Sequence, residues 1–322
     1  GTGKSIEWNF ADELTYSTDY TIKLVADDMA EIDIQSIVNQ VDSINLKSDL
    51  EFIEGIRHRN TGPDHLQATR DFIEQRFTDY GLNSTIQDFD FGSYTGKNYI
   101  GTKTGTIDDE YIYIWDAHYD SQTNTPGADD NGSGVVGMIV ALDQLKDYAG
   151  EYCLEFVAYT LEEPPLYNTE YMGSLQHATW LKSRGTEVFG MVSLEMIGYF
   201  SDAKKSQSYP LGILKMIYGG KGDYITLVRK FDKGKFTRRF TKAFRKSNYI
   251  KTKKFTGPRK LTGIDFSDHR SYWSNGFDAL MMTDTSFYRN SNYHKKTDTM
   301  ETLDFNRMAD VVNAVISAIE NI

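Results

Sequence analysis

The stretch from residue 110 to 147 constrains this chain most. An apolar strand pattern, EYIYIWDA, runs into the polar segment HYDSQTNTPGADDNGSG and then into a helical pattern carrying Val135, Val136, Met138, Ile139, Leu142 and Leu145. Imidazole and carboxylates concentrated between two apolar elements read as half of a metal site. The same strand-and-helix alternation recurs along the chain. Strands are expected at 84–91, 97–102, 152–160, 187–194, 249–255 and 277–283, and helices at 33–45, 64–80, 171–183 and 268–275. A last helix is expected from Asp304, as N-cap, through Met308, Val311, Val312, Val315 and Ile319. This order predicts an α/β fold, a mostly parallel mixed sheet with helices on both faces. No Pro/Gly-rich linker divides the chain, so one domain is expected over 1–322, with a poorly periodic N-terminal extension at 1–30.

In sheets of this kind ligands gather outside the carboxyl ends of the strands. Three expected strands end at such a residue: 110–117 at His118, 152–160 at Glu162 and Glu163, and 187–194 at Glu195. A fourth, 277–283, leads into the loop that carries His294. Zinc binds imidazole and carboxylate, and hydrolytic sites keep a position for water. A pair of zinc ions needs a bridging carboxylate, terminal ligands and one free carboxylate for protons. The candidates are His118, His294, Asp130 as bridge, Glu163 and Glu195 as terminal carboxylates, and Glu162 as the free one. Asp120, two residues past His118, suits orienting that imidazole.

Charge and composition exclude other classes. The net charge of −11 argues against general nucleic-acid binding, although residues 229–260 carry fourteen Lys/Arg and one acid. The spacing in TRRFTKAFRKSN is that of an amphipathic helix with Phe240 and Phe244 inward, its basic side a solvated face. One cysteine, Cys153, excludes an internal disulfide and a thiolate cluster, and it reads as a small buried apolar group. No run is long enough for a membrane span, and GTGKSIEWNF has no signal-peptide pattern. His58, His65 and His177 lack carboxylate-rich surroundings. His269 is expected beside the site, Asp268 as the cap of its helix, Asp129 as a neighbour of Asp130, and Asp298 as a turn cap or a support for the His294 loop.

Taken together, AHYDS, PGADDNGSG, TLEEPPLYNTEYMGS, SLEMIGYF, DFSDHRSYWSNGFDALMMTDT and YHKKTDTMETLD, in this order over roughly 95–305, resemble the zinc-dependent exopeptidases that include bacterial leucyl aminopeptidases and glutamate carboxypeptidases. The resemblance implies a phosphorylase/hydrolase-like fold and two zinc ions per chain. His118 and His294 would each bind one, Asp130 would bridge them, and Glu163 and Glu195 would complete the set, Glu195 standing where many members have Asp. It implies peptide-bond hydrolysis by a metal-bridging hydroxide with Glu162 as general base and acid, most simply as an aminopeptidase acting on peptide substrates. It further implies a cis peptide after Asp130, a secreted or periplasmic location, and a substrate-side insertion at 200–265. Some members carry a tyrosine where this chain has Ile264. Tyr293 is the substitute candidate for stabilising the oxyanion. Two other readings fit the same fold, a single-zinc glutaminyl-cyclase-like acyltransferase and a non-catalytic interaction domain. The oligomeric state is left open.

Overall fold

The computed structural model describes residues 41–322, apart from 107, 148–149 and 233, and leaves out the side chains of 108–111. These residues belong to one unit, Gln40–Ile322. The expected extension at 1–30, and all but the last residues of the helix expected at 33–45, lie outside them. The first described helix, α1, is Ser43–Ile53, capped by the Asp42 carboxylate accepting from the Ile44 N–H.

Eight strands form one sheet: β1 Asn83–Phe91, β2 Tyr94–Lys103, β3 Asp108–His118, β4 Tyr152–Tyr159, β5 Glu187–Leu194, β6 Ile225–Lys230, β7 Thr252–Gly257 and β8 Ala279–Thr283. Their spatial order is β1-β2-β4-β3-β5-β8-β6-β7. The centre, β4-β3-β5-β8, is parallel throughout. β1, β2 and β4 pair antiparallel, and β6 runs antiparallel to β8 but parallel to β7.

Period-two alternation sends the apolar side chains of the central strands into two cores. On one face lie Trp115 and Ala117 of β3, Leu154 and Phe156 of β4, and Leu280 and Met282 of β8. That face is covered by α3 (Gly134–Leu145) and α6 (Lys235–Ser247), and α8 (Phe305–Glu320) packs against both of these helices. On the other face lie Ile112 and Ile114, Cys153 and Val157, and Met281, covered by α4 (Gly173–Arg184) and α7 (His269–Asn275). α2 (Pro63–Asp79) packs on β1 and β2. Cys153 is buried among the apolar side chains of this second face, as a small apolar group would be.

The helix from Asp304 begins as the sequence indicates, with the Asp304 carboxylate accepting from the Arg307 N–H. Besides α1, which the helix expected at 33–45 overlaps only in its first residues, two elements escape a sequence reading. β6, ITLVRK, offers only three apolar residues before it turns basic. α5, Ile213–Tyr218, buries none of its residues, so no core-facing period marks it. The stretch 200–265 carries β6, β7 and α6, all within the sheet and its cover.

The basic helix α6 follows its amphipathic pattern. Phe236, Phe240 and Phe244 are buried, while Arg238, Arg239 and Lys242 face solvent. Phe240 packs on Trp115, Phe236 and Phe244, with ring centroids 5.4 to 5.9 Å apart. Close approach is possible because Gly190 of β5 has no Cβ; one built there would meet the Phe236 ring at 2.0 Å. Phe240→Ala should therefore cost about 3–5 kcal/mol in denaturant unfolding, while Arg239→Ala should stay within about 0.5 kcal/mol of wild type.

Candidate metal centre

Four adjacent strands deliver the site. β3 ends on His118, whose Cα pairs with Tyr159 at the end of β4, so Glu162 and Glu163 emerge just beyond. Glu195 follows β5 directly, and β8 leads to the His294 loop. Left-handed φ values at Leu161 (59°), Met196 (54°) and His294 (57°) turn the backbone beside three of these residues. Each costs of order 1–2 kcal/mol in a non-glycine residue, so the surrounding bonds must hold it.

The side chains form two triplets that share Asp130: His118, Asp130 and Glu195 in one, and Asp130, Glu163 and His294 in the other. His118 Nε2 lies 3.6 Å from Asp130 Oδ1 and 3.2 Å from Glu195 Oε2. His294 Nε2 lies 3.1 Å from Asp130 Oδ2 and 3.2 Å from Glu163 Oε2. Each Asp130 oxygen thus faces a different triplet. Glu162 Oε2 points in at 3.8 Å from His118 Nε2.

Electrostatics calls for a cation here. Burial raises the Glu162 carboxyl well above the usual carboxylate range and lifts Glu163 to about 8; neighbouring carboxylates, Glu195 for Glu162 and Asp130 for Glu163, push further. Burial also raises Glu195. Beneath them burial holds Asp116 well above its ordinary value and Asp268 at about 7. So many carboxyls in one dry volume cannot all ionise unless positive charge joins them. The buried atoms His118 Nε2, Asp130 Oδ2 and Glu163 Oε1 have no hydrogen-bond partner. Imidazole and carboxylate donors left free in two convergent sets fit zinc.

A surrounding layer of hydrogen bonds fixes the donors. The Asp298 carboxylate accepts from the Asp129 and Asp130 N–H groups at 3.0 and 3.1 Å, so its support goes to the Asp130 loop. Asp129, beside the shared aspartate, is turned away from both triplets. Its oxygens accept from Gly198 N–H, Ser133 Oγ and Asn290 Nδ2. Asn131 ties the same loop to Leu194 O and Met196 N–H, and the Asp130–Asn131 peptide is cis. Ser267 donates to Glu195 Oε2 at 2.8 Å. Asp120 has a double part. Its backbone oxygen lies 3.2 Å from His118 Nδ1, with its carboxylate at 3.6 Å, and that carboxylate accepts from the Glu162 and Glu163 N–H groups.

Sequence reasoning missed the residues that organise this layer. Arg57 is wholly buried and gives its guanidinium to five carbonyls, of Ile53, Gly55, Tyr119, Pro126 and Gly127. Burial lowers its pKa to about 10. Its only sequence signal is an arginine in the lead-in IRHRNTG. Asn290 carries no signal at all.

His269 belongs to neither triplet: its Nε2 bonds the Ile264 carbonyl at 2.8 Å and its ring packs edge-on against Trp273. One expectation is corrected. Asp268 makes no side-chain cap to α7, because its carboxyl is buried toward the His118 side of the site. His177 is a core residue bonded to Tyr159 and Tyr272, while His58 bonds Thr61 and Thr123 and His65 reaches the Ile53 carbonyl.

A cleft of about 770 Å³, counting its open mouth, begins at Glu195 and Tyr293 and runs along β8, β6 and β7. Ile264, Met281, Phe255 and Phe287 make it apolar, and Leu214 and Tyr218 of α5 wall it. The Tyr293 ring stacks on His294 with centroids 3.7 Å apart. Burial, then the site carboxylates, holds its phenol far above the ordinary value, so it keeps its proton.

Residues 98–319 match the model of peptidase family M28. An uncharacterised protein of Escherichia coli, YfbL, is 36% identical over 266 residues, 80% of this chain and 81% of that protein. A probable leucine aminopeptidase of Trichophyton verrucosum is 25% identical over 298 residues, 86% of this chain and 72% of that protein. Among solved structures, BSAP, a zinc aminopeptidase from Bacillus subtilis, aligns with a TM-score of 0.55 at 22% identity, covering 71% of this chain and 50% of that one.

Two tests follow from this geometry. Asp298→Asn turns an amide N–H toward one of the two backbone donors it now accepts from, so zinc affinity in chelator competition should fall about 10- to 100-fold with the fold retained. Burial lowers His269 to about 3 from an ordinary 6.5. The unfolded chain therefore takes up this proton first. Its contribution is complete above about pH 6.5 and is lost toward pH 3, by roughly 1.4 kcal/mol per pH unit. Urea unfolding at about pH 7 and pH 5 should show a shallower loss in His269→Gln than in wild type.

Proposed function

The chain belongs to peptidase family M28, and from that premise we propose that this zinc-dependent hydrolase is an aminopeptidase holding two zinc ions, one in each triplet around Asp130. One observation carries the reading: Asp130 divides its two oxygens between His118 at 3.6 Å and His294 at 3.1 Å, as a bridging carboxylate must. In this assignment His118 and Glu195 hold one ion, His294 and Glu163 the other. Bound there, zinc would supply a water of lowered pKa and Lewis-acid polarisation of the scissile carbonyl.

The protein's own groups do the rest. Glu162 stands free of both triplets, and burial raises its proton affinity well above that of an ordinary carboxylate. A carboxyl poised so can take a proton from the attacking water and return it to the leaving amine. Asp120 positions Glu162 and Glu163 together through their N–H groups. Tyr293, which keeps its phenolic proton beside His294, is placed to donate to the negative charge growing on the carbonyl oxygen. The side chain of the residue being released enters the apolar cleft, and the site carboxylates meet its free ammonium. That last point favours aminopeptidase over carboxypeptidase chemistry.

Metal analysis should find close to two zinc ions per chain, with hydrolysis of aminoacyl p-nitroanilides abolished by chelator. Glu162→Gln should lower kcat about 10²- to 10⁴-fold while keeping zinc and fold. His118→Ala and His294→Ala should each reduce zinc occupancy. One zinc per chain with cyclisation of N-terminal glutamine and no peptidase activity would replace this reading with the acyltransferase. Full activity in Glu162→Gln would remove the proton role from that residue.

A further inference from the structure

The exposed apolar side chains of this protein are not scattered evenly. Leu211, Ile213, Met216 and Ile217 are 50, 58, 83 and 68% exposed, all within seven residues on and just before α5. Single exposed apolar groups are ordinary on a soluble protein; four large ones at one spot mark an interaction surface. The helix needs its inner side for another purpose, since Leu214 and Tyr218 wall the cleft. Its outer side is free to be polar at no structural cost, yet it is apolar.

Charge says what meets this surface. Residues 203–222 hold four lysines, Lys204, Lys205, Lys215 and Lys221, and no acid, in a chain whose net charge is −11. All four are exposed, and none makes an ion pair among the described residues. Basic strand β7 lies alongside: Tyr218 donates to the Lys254 carbonyl and Lys253 donates to that of Tyr218. Lys254 adds another exposed ammonium, and the nearby Lys251 is paired with Asp223. A second copy of this chain would bring the same lysines face to face, so self-association through the patch is opposed by its own charge. Its most exposed members, Met216 and Ile217, are adjacent on one short turn, and isolated side chains of that kind enter a soft layer more readily than a fitted protein groove. No described helix is long and apolar enough to cross a membrane.

We propose that α5 and its flanking lysines dock this protein on an anionic lipid surface, with Leu211, Ile213, Met216 and Ile217 entering the headgroup layer and Lys204, Lys205, Lys215, Lys221 and Lys254 meeting the lipid phosphates. Apolar burial and electrostatic attraction are the two terms of interfacial binding, and each has its own group of residues here. The inference is independent of the catalytic assignment, because none of these side chains belongs to either triplet.

The full chain is sedimented with vesicles of phosphatidylcholine alone and of phosphatidylcholine containing about one third phosphatidylglycerol. Binding is expected to the anionic vesicles only, weakening with added salt. Met216→Ser/Ile217→Ser should weaken it about tenfold or more, as should Lys215→Glu/Lys221→Glu. Both variants should keep the wild-type Tm and zinc content, which separates lost docking from lost folding. Absence of binding to anionic vesicles would overturn the proposal, as would equal binding by wild type and both variants. So would a wild-type dimer in analytical ultracentrifugation that Met216→Ser/Ile217→Ser converts to monomer, because the patch would then be a contact between copies.

Discussion

Repulsion among buried carboxylates is the constraint around which this structure is arranged. Asp130, Glu162, Glu163 and Glu195 converge at one edge of the sheet, with Asp116 and Asp268 buried beneath. Desolvation and mutual repulsion each oppose such a cluster. Two imidazoles reach in, and, against the lowering effect of burial, the carboxylates around them raise both above the ordinary histidine value, His294 to about 10, but even two positive rings do not balance that much negative charge. Divalent charge would, and Asp130 offers one oxygen to each of the two triplets. A metal centre therefore fits the charge distribution as well as the kinds of donor present.

A cluster that repels itself must be held by the chain around it. The holding is done largely by backbone N–H groups donated to the carboxyl oxygens of neighbouring acidic residues. Asp298 grips the segment carrying Asp130, Asp120 grips the turn carrying Glu162 and Glu163, and Asp129 grips Gly198 near Glu195. Acidic residues near the site thus divide into those whose oxygens face the metal positions and those whose oxygens face the backbone. Arg57 performs the complementary task, with a cation satisfying carbonyls in the loop between His118 and Asp130. Gly127 permits that approach. It takes φ +64°, and a Cβ there would come within 2.5 Å of the Asp130 carbonyl and 2.9 Å of the Arg57 guanidinium.

The sheet relates chemistry to specificity. Its parallel centre sends four strand ends to the charged site, while β8, β6 and β7 present an apolar face that becomes the wall of the cleft. The reversal of β6 against β8 allows β6 and β7 to extend the sheet past the chemistry. The stretch 200–265 supplies much of that wall, including Tyr224, Phe255 and Ile264, and it is where periodicity is hardest to read. α5 belongs to the same stretch, burying nothing in the core while lining the cleft on one side.

What the sequence determined alone was whatever depends on neighbours along the chain. The order of strands and helices outside the stretch that holds α5 and β6, the apolar pattern on both faces of the central strands, the Asp304 cap and the inward Phe240 and Phe244 were all legible, because periods of two and 3.6 residues are local. So was the presence of ligand-type residues at four strand ends, which the fold does bring together in two triplets. Tertiary structure decided what depends on partners distant in sequence. The choice between Asp129 and Asp130 rests on Asn290 and Asp298, more than 150 residues away. The insertion of β8 between β5 and β6, the enlistment of Arg57 and the withdrawal of His269 into the Trp273 contact rest on similar long-range packing. Spacing along a chain specifies which face a residue occupies; the hydrogen-bond partner waiting there is specified only when another part of the chain arrives.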